Sequence, residues 1–134
     1  MNNLTSGLVT SLVSLGLLDT ILDNNKKVYG SRMTACLREL ARLPPGWTVQ
    51  DPKGGYFLWV QAPTDLTSFC LHLKSRGVAV LHGTRASSSF YLDKGKGGVV
   101  PFSSCFRLSI AHYEQDQLVE ACKTIVTEAS TFFQ

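Results

Sequence analysis

The chain has 134 residues, 44% of them apolar and 17% charged, with a net charge of +3. That length fits one domain able to bury roughly 65 to 70% of its unfolded surface, and the composition excludes a disordered or fibrous chain. The positive charge is scattered through Lys26, Lys27, Arg32, Arg38, Arg42, Arg76 and Arg85 with no basic run, which argues against nucleic acid as a ligand.

Leu4, Leu8, Leu12, Leu15, Leu18 and Leu22 recur at helical steps, with Val9, Val13 and Leu17 as a second stripe beside them. The run Gly7 to Leu18 lacks a basic flank and a cleavage site and is too short to span a bilayer, so it is expected to be a helix buried on most faces rather than a signal peptide or membrane segment. Tyr29, Met33, Cys36, Leu37, Leu40 and Leu43 continue the helical spacing, with Arg32, Arg38 and Arg42 left for solvent, until Pro44 and Pro45 end it. Residues 1–43 are therefore expected to form a long helical arm, and residues 44–134 a separate small domain.

Within that domain "WTVQ" and "YFLWVQ" predict two strands around the turn "DPKGG". Tyr56, Leu58 and Val60 fall on one side of the second strand, Phe57, Trp59 and Gln61 on the other, so both sides are expected to be covered in part. Leu66, Phe69, Cys70 and Leu73 predict a helix that starts at Thr64 or Asp65 and stops at Gly77. "VAVL" predicts a strand, His82 to Ser104 a long loop, "CFRLSIA" a strand, and Leu118, Cys122, Ile125 and Ala129 a closing amphipathic helix. The sum is an α+β two-layer sandwich, a small mixed or antiparallel sheet covered by helices and preceded by the arm.

Little of this carries chemistry by itself. Cys36, Cys70, Cys105 and Cys122 stand singly, without metal spacing, and read as buried free thiols of a reducing compartment such as the cytoplasm. "GKGG" at 95–98 lacks the frame of a phosphate loop, and His72, His82 and His112 have no ligand or triad partners at the right spacing, so no metal site is expected. Arg107, in the middle of a strand, is either a solvated side chain lying along the sheet or a rigid fork for a carboxylate; spacing does not choose between them.

Taken in order and at their separations, "SGLVTSLVSLGLLDTILDNNKKVYGSRMTACLREL", "GGYFLWV", "GVAVLHG" and "CFRLSIAHYEQDQLVEA" resemble the carboxy-terminal part of class I/II aminotransferases, fold-type I pyridoxal-phosphate enzymes, and in particular the aminoadipate, kynurenine and aromatic branch. The resemblance implies that the arm leaves a large domain lying upstream and that residues 44–134 are the small domain that closes over an amino acid or 2-oxo acid. It implies Arg107 as the clamp for the substrate α-carboxylate, with Tyr56 and Phe57 bordering the substrate side chain. His82 stands where relatives carry proline, and there it either meets the substrate or lies at the surface.

The lysine, acid and phosphate-binding groups that serve pyridoxal phosphate would all stand on the large domain. No catalytic or cofactor-binding residue is therefore expected in this chain, which reads as a fragment or short product, inactive alone, of a homodimeric enzyme. The alternative is a non-catalytic module that pairs with a full-length subunit through the apolar arm. Neither reading involves nucleic acid or membrane. The compartment is expected to be cytoplasmic, or mitochondrial if a targeting segment precedes the chain.

Overall fold

A computed structural model describes residues 3–86 and 102–133. The arm forms as two helices, α1 (Asn3–Ser14) and α2 (Leu17–Leu40), which meet at Gly16 with a bend of 91°. Among the described residues no single helix is long and apolar enough to cross a membrane. The expected burial of the first helix is not seen within this chain: Leu4, Leu8, Val9, Val13 and Leu15 are exposed, and α1 buries no residue. Among the described residues the second half of α2 carries the burial, at Met33, Cys36 and Leu40, and the stripe ahead of it stays exposed.

Arg32 corrects the sequence reading. The spacing leaves it for solvent with Arg38 and Arg42, but it is 8% exposed, because three acceptors near the end of the last strand receive its guanidinium.

Four strands follow: β1 (Thr48–Val49), β2 (Phe57–Gln61), β3 (Leu81–His82) and β4 (Cys105–Ser109). They form one antiparallel sheet in the order β1-β2-β4-β3. The strand expected over "VAVL" pairs only at Leu81 and His82. The reason lies in α3 (Thr67–Ser75): Gly77, at φ +85°, turns the chain so that the Val78 N–H closes onto Leu73 O at 2.9 Å. This is the bond that caps a helix ending in left-handed glycine. Val78 is thereby committed to the helix end, and its side chain drops into the core.

Leu58 and Val60 of β2 and Phe106 and Leu108 of β4 share one face, where they pack against Cys36 and Leu40 of α2, Phe69 and Leu73 of α3, and Leu118, Cys122 and Ile125 of α4 (Gln115–Phe132). α4 begins in a capping box in which Glu114 accepts from the Gln117 N–H and the Gln117 side chain accepts from the Glu114 N–H. All four cysteines are buried and unpaired, and burial pushes the Cys70 thiol up to about 11. The expected loop over 82–104 starts with a short 3-10 turn (Gly83–Ala86) and ends in a turn at 102–104; residues 87–101, including "GKGG", lie outside the described residues.

α3 and α4 are joined by a cluster that the spacing did not announce. Glu128, 8% exposed, receives His72 Nε2 at 2.6 Å and Arg76 Nε at 2.8 Å. The hydrogen bond from His72, with Arg76 behind it, holds the Glu128 carboxyl below its ordinary 4.5. A carboxyl depressed on folding stabilises above its unfolded value and loses that stabilisation as pH falls through the folded one. The thermal midpoint should therefore decline as pH drops below about 4.5, and Glu128→Gln should flatten that acid limb; an identical limb in the variant would refute the assignment.

Candidate functional site

β4 is central in the sheet, held by β2 on one side and β3 on the other, so the backbone from which its side chains project is fixed. Arg107 stands opposite Trp59 of β2 and Leu81 of β3 and points to the face away from the helices. Its guanidinium lies 4.0 Å from the centroid of the Phe57 ring, a cation–π contact that orients the fork. Among the described residues no carboxylate pairs with it.

In front of Arg107 is a cavity of about 450 Å³ lined by Gln50, Pro52, Phe57, Trp59 and Phe102. Trp59 and Phe102 meet edge to face with ring centroids 5.5 Å apart. Phe102 takes a left-handed backbone, φ 63°, which is uncommon for a residue with a side chain. That conformation delivers its ring onto Trp59 beside the arginine. Sequence reasoning did not single out Phe102 or Trp59 for the site. The outward alternation of β2 already placed Trp59 with Phe57, but no pattern marks Phe102.

The four residues singled out in the sequence separate as follows. Arg107 and Phe57 are in contact. Tyr56 touches Phe57, centroids 5.6 Å apart, yet turns to the other side, where it packs on Tyr29 of α2 at 5.5 Å and borders a second cavity of about 520 Å³. His82 is opposite Phe106 on the helix-covered face, so it is not brought to Arg107. Both its ring nitrogens are engaged internally, Nε2 with Ser103 O at 3.0 Å and Nδ1 with the Thr84 hydroxyl at 2.8 Å.

Among the described residues none fits pyridoxal phosphate as a Schiff-base lysine. A Schiff-base lysine must shed its proton, which requires a desolvated or electropositive setting. Lys26, Lys27, Lys53, Lys74 and Lys123 are all exposed, and the Glu120 carboxylate beside Lys123 favours its charged form. Lys94 and Lys96 lie outside the described residues. Among the described residues no group of three His, Cys, Asp or Glu side chains converges to hold a metal ion.

Several solved structures share this fold. A kynurenine aminotransferase from Pyrococcus horikoshii, in complex with PMP, superposes with a TM-score of 0.76 at 24% identity over 92% of this chain and 29% of its own. An α-aminoadipate aminotransferase from Thermus thermophilus, bound to N-(5'-phosphopyridoxyl)-L-leucine, gives 0.72 at 24% identity over 94% and 30%. A multiple substrate aminotransferase from Thermococcus profundus gives 0.72 at 21% identity over 90% and 29%. The chain thus spans less than a third of the length of these structures, and the likeness is one of fold. No curated protein matches by sequence. The family model for aminotransferases of class I and II, however, matches residues 4–125, nearly the whole chain, and by that match the chain belongs to the class I and II aminotransferase family.

Proposed function

We propose that this chain supplies the carboxylate-gripping part of a pyridoxal-phosphate-dependent aminotransferase, an enzyme that moves an amino group between an amino acid and a 2-oxo acid. The observation that carries the reading is Arg107: an always-charged fork on a central strand, oriented by Phe57, without an acidic partner among the described residues, and opening on a cavity. Phe57, Trp59 and Phe102 border the bound acid, and Tyr56, on the other side of the strand, backs the Phe57 ring.

The cofactor and the groups that hold it belong, in this reading, to a large domain on the bare side of the sheet, which gives the two-layer small domain its second cover. PMP and the phosphopyridoxyl ligand in two of the similar structures support that cofactor, and a homodimer is the assembly we expect. His82 serves the site indirectly, by holding Ser103 in the turn that leads into β4. The second reading, a non-catalytic module that pairs with a full-length subunit, is favoured by one observation, the uncovered apolar stripe of α1 and early α2.

A 2-oxo acid tests the grip on the chain itself. 2-Oxoglutarate titrated into the protein should shift the Arg107 Nε–Hε resonance saturably and leave that of Arg76, already bound to Glu128, in place. Equal, unsaturable movement of both signals would show that no carboxylate site exists.

A further inference from the structure

Burying a guanidinium is costly unless its donors are satisfied, so a buried arginine calls for a reason. Arg32 and Glu128 are the two charged side chains buried among the described residues, and Glu128 is accounted for by the joint between α3 and α4. Arg32 sits on α2, in the half that meets the sheet. Its Nη1 donates to Ala111 O at 3.1 Å and to Ile110 O at 3.4 Å, and its Nη2 to Glu114 Oε2 at 2.9 Å. These acceptors are the last carbonyls after β4 and the residue that caps α4. The Ile110 N–H is in turn bound to Tyr56 O at 2.9 Å, so Ile110, just past β4, is held through both its N–H and its C=O. Beside this, the Ser31 hydroxyl bonds to the Gln115 side chain.

A second route joins the same residue to the same strand. The Arg32 guanidinium stands 5.9 Å from the Tyr29 ring, Tyr29 packs on Tyr56 at 5.5 Å, Tyr56 on Phe57 at 5.6 Å, and Phe57 lies 4.0 Å below the Arg107 guanidinium. One path runs along the backbone of β4 and the other through tilted and edge-to-face ring contacts, and both end at Arg107.

We propose that Arg32 is a positioning residue for Arg107: by pinning the exit of β4 and backing the Tyr29–Tyr56–Phe57 chain of ring contacts, it fixes where the Arg107 fork points. Rotation or bending of α2, the second helix of the arm, would then be felt at the carboxylate grip. The proposal rests on the reading of Arg107 as that grip, and it goes beyond it by assigning a residue on a different element, in contact with neither ligand nor cavity.

The test uses the whole chain and reads Arg107 directly. A guanidinium over the Phe57 ring has its Nε–Hε and Cδ proton resonances moved upfield by the ring, and that shift reports the contact. Arg32→Met should lose the upfield shift and weaken 2-oxoglutarate binding, while the Arg76 signal at Glu128 stays. Arg32→Lys, which can still donate to the carbonyls of Ile110 and Ala111, should recover part of both.

Ile125→Val, a core change away from the β4 exit, serves as the stability control. If Arg32→Met lowers the thermal midpoint as Ile125→Val does but leaves the Arg107 signal in place, the residue is only structural and the proposal falls. Should Arg32→Met fail to fold, Arg32→Gln, which removes the charge and shortens the reach to the Ile110 and Ala111 carbonyls, and Tyr29→Leu, which removes the ring route, take its place, and an unmoved Arg107 signal in both overturns it. The two readings fail separately. A signal that moves in the variants of a protein that does not bind 2-oxoglutarate supports the positioning and removes the grip; equal 2-oxoglutarate binding by the wild type and Arg32→Met keeps the grip and removes the positioning.

Discussion

Gly83→Ala should destabilise the fold by about 3 kcal/mol, the upper range for forcing atoms into a filled interior. A Cβ at this position would stand 2.3 Å from Phe102 O, 2.8 Å from Cys105 O and 2.9 Å from Phe102 Cβ. Two of the three are backbone atoms, and the turn that carries them cannot step back. Ser103 O accepts from Leu66 N at 2.9 Å and from His82 Nε2 at 3.0 Å, Ser104 O accepts from Ala62 N at 2.9 Å, and Cys105 N is bound to Phe102 O at 3.1 Å. Relief would have to come from breaking several of these bonds or from pushing Gly83 off β4.

Either course disturbs Phe102, whose ring packs on Trp59 beside Arg107, so the cavity should deform along with the loss of stability. Urea unfolding of the variant against the wild type measures the first effect, and tryptophan fluorescence reports the second. A variant within 1 kcal/mol of wild type, on a scale where surface changes stay near half that, would mean that the 102–105 turn yields.

What the sequence made legible is what depends on short spacing. The helical steps of Leu66, Phe69, Cys70 and Leu73, the alternation in β2 and β4, and the acidic start of α4 each reflect neighbours within one or two turns or along one strand. Arg107 stood out for the same reason, a lone cation in an otherwise regular alternation.

The rest is carried by pairs far apart in the chain. Arg32 finds its acceptors 78 and 79 residues later, and His72 finds Glu128 56 residues later. A signal for Arg32 did exist, since it lies three residues after Tyr29 and four before Cys36, on the buried stripe itself; charge alone assigned it to solvent. "VAVL" reads as a strand because β-branched residues favour one, but Val78 is used first to end α3. His82 could not be placed from the sequence, because whether it faces the arginine or the helices depends on its register with Phe106. The stripe of the arm is legible as apolar and as helical, but not as covered, because a cover is a property of whatever lies against it.

Arg107→Lys should weaken 2-oxo acid binding by about 10- to 100-fold although it keeps the charge. A charge-assisted hydrogen bond contributes about 1.5 to 3 kcal/mol, and each 1.4 kcal/mol is a factor of ten. Arginine can place two parallel N–H groups on a carboxylate, whereas an ammonium offers a single point of charge on a flexible stem. The geometry adds a second loss: the guanidinium lies 4.0 Å from the centroid of the Phe57 ring, and that cation–π contact orients the fork before any ligand arrives, which lysine does not reproduce to the same degree.

Comparing Arg107→Lys with Arg107→Gln then separates the two contributions. If charge alone attracts the acid, lysine should bind like arginine and glutamine should fail, with binding that fades steeply as salt is raised. If the fork does the gripping, lysine should fall most of the way to glutamine, and salt should matter little to the difference. Calorimetric titration of 2-oxoglutarate into the three proteins distinguishes the outcomes, and lysine equal to arginine would reduce Arg107 from a clamp to a local positive potential.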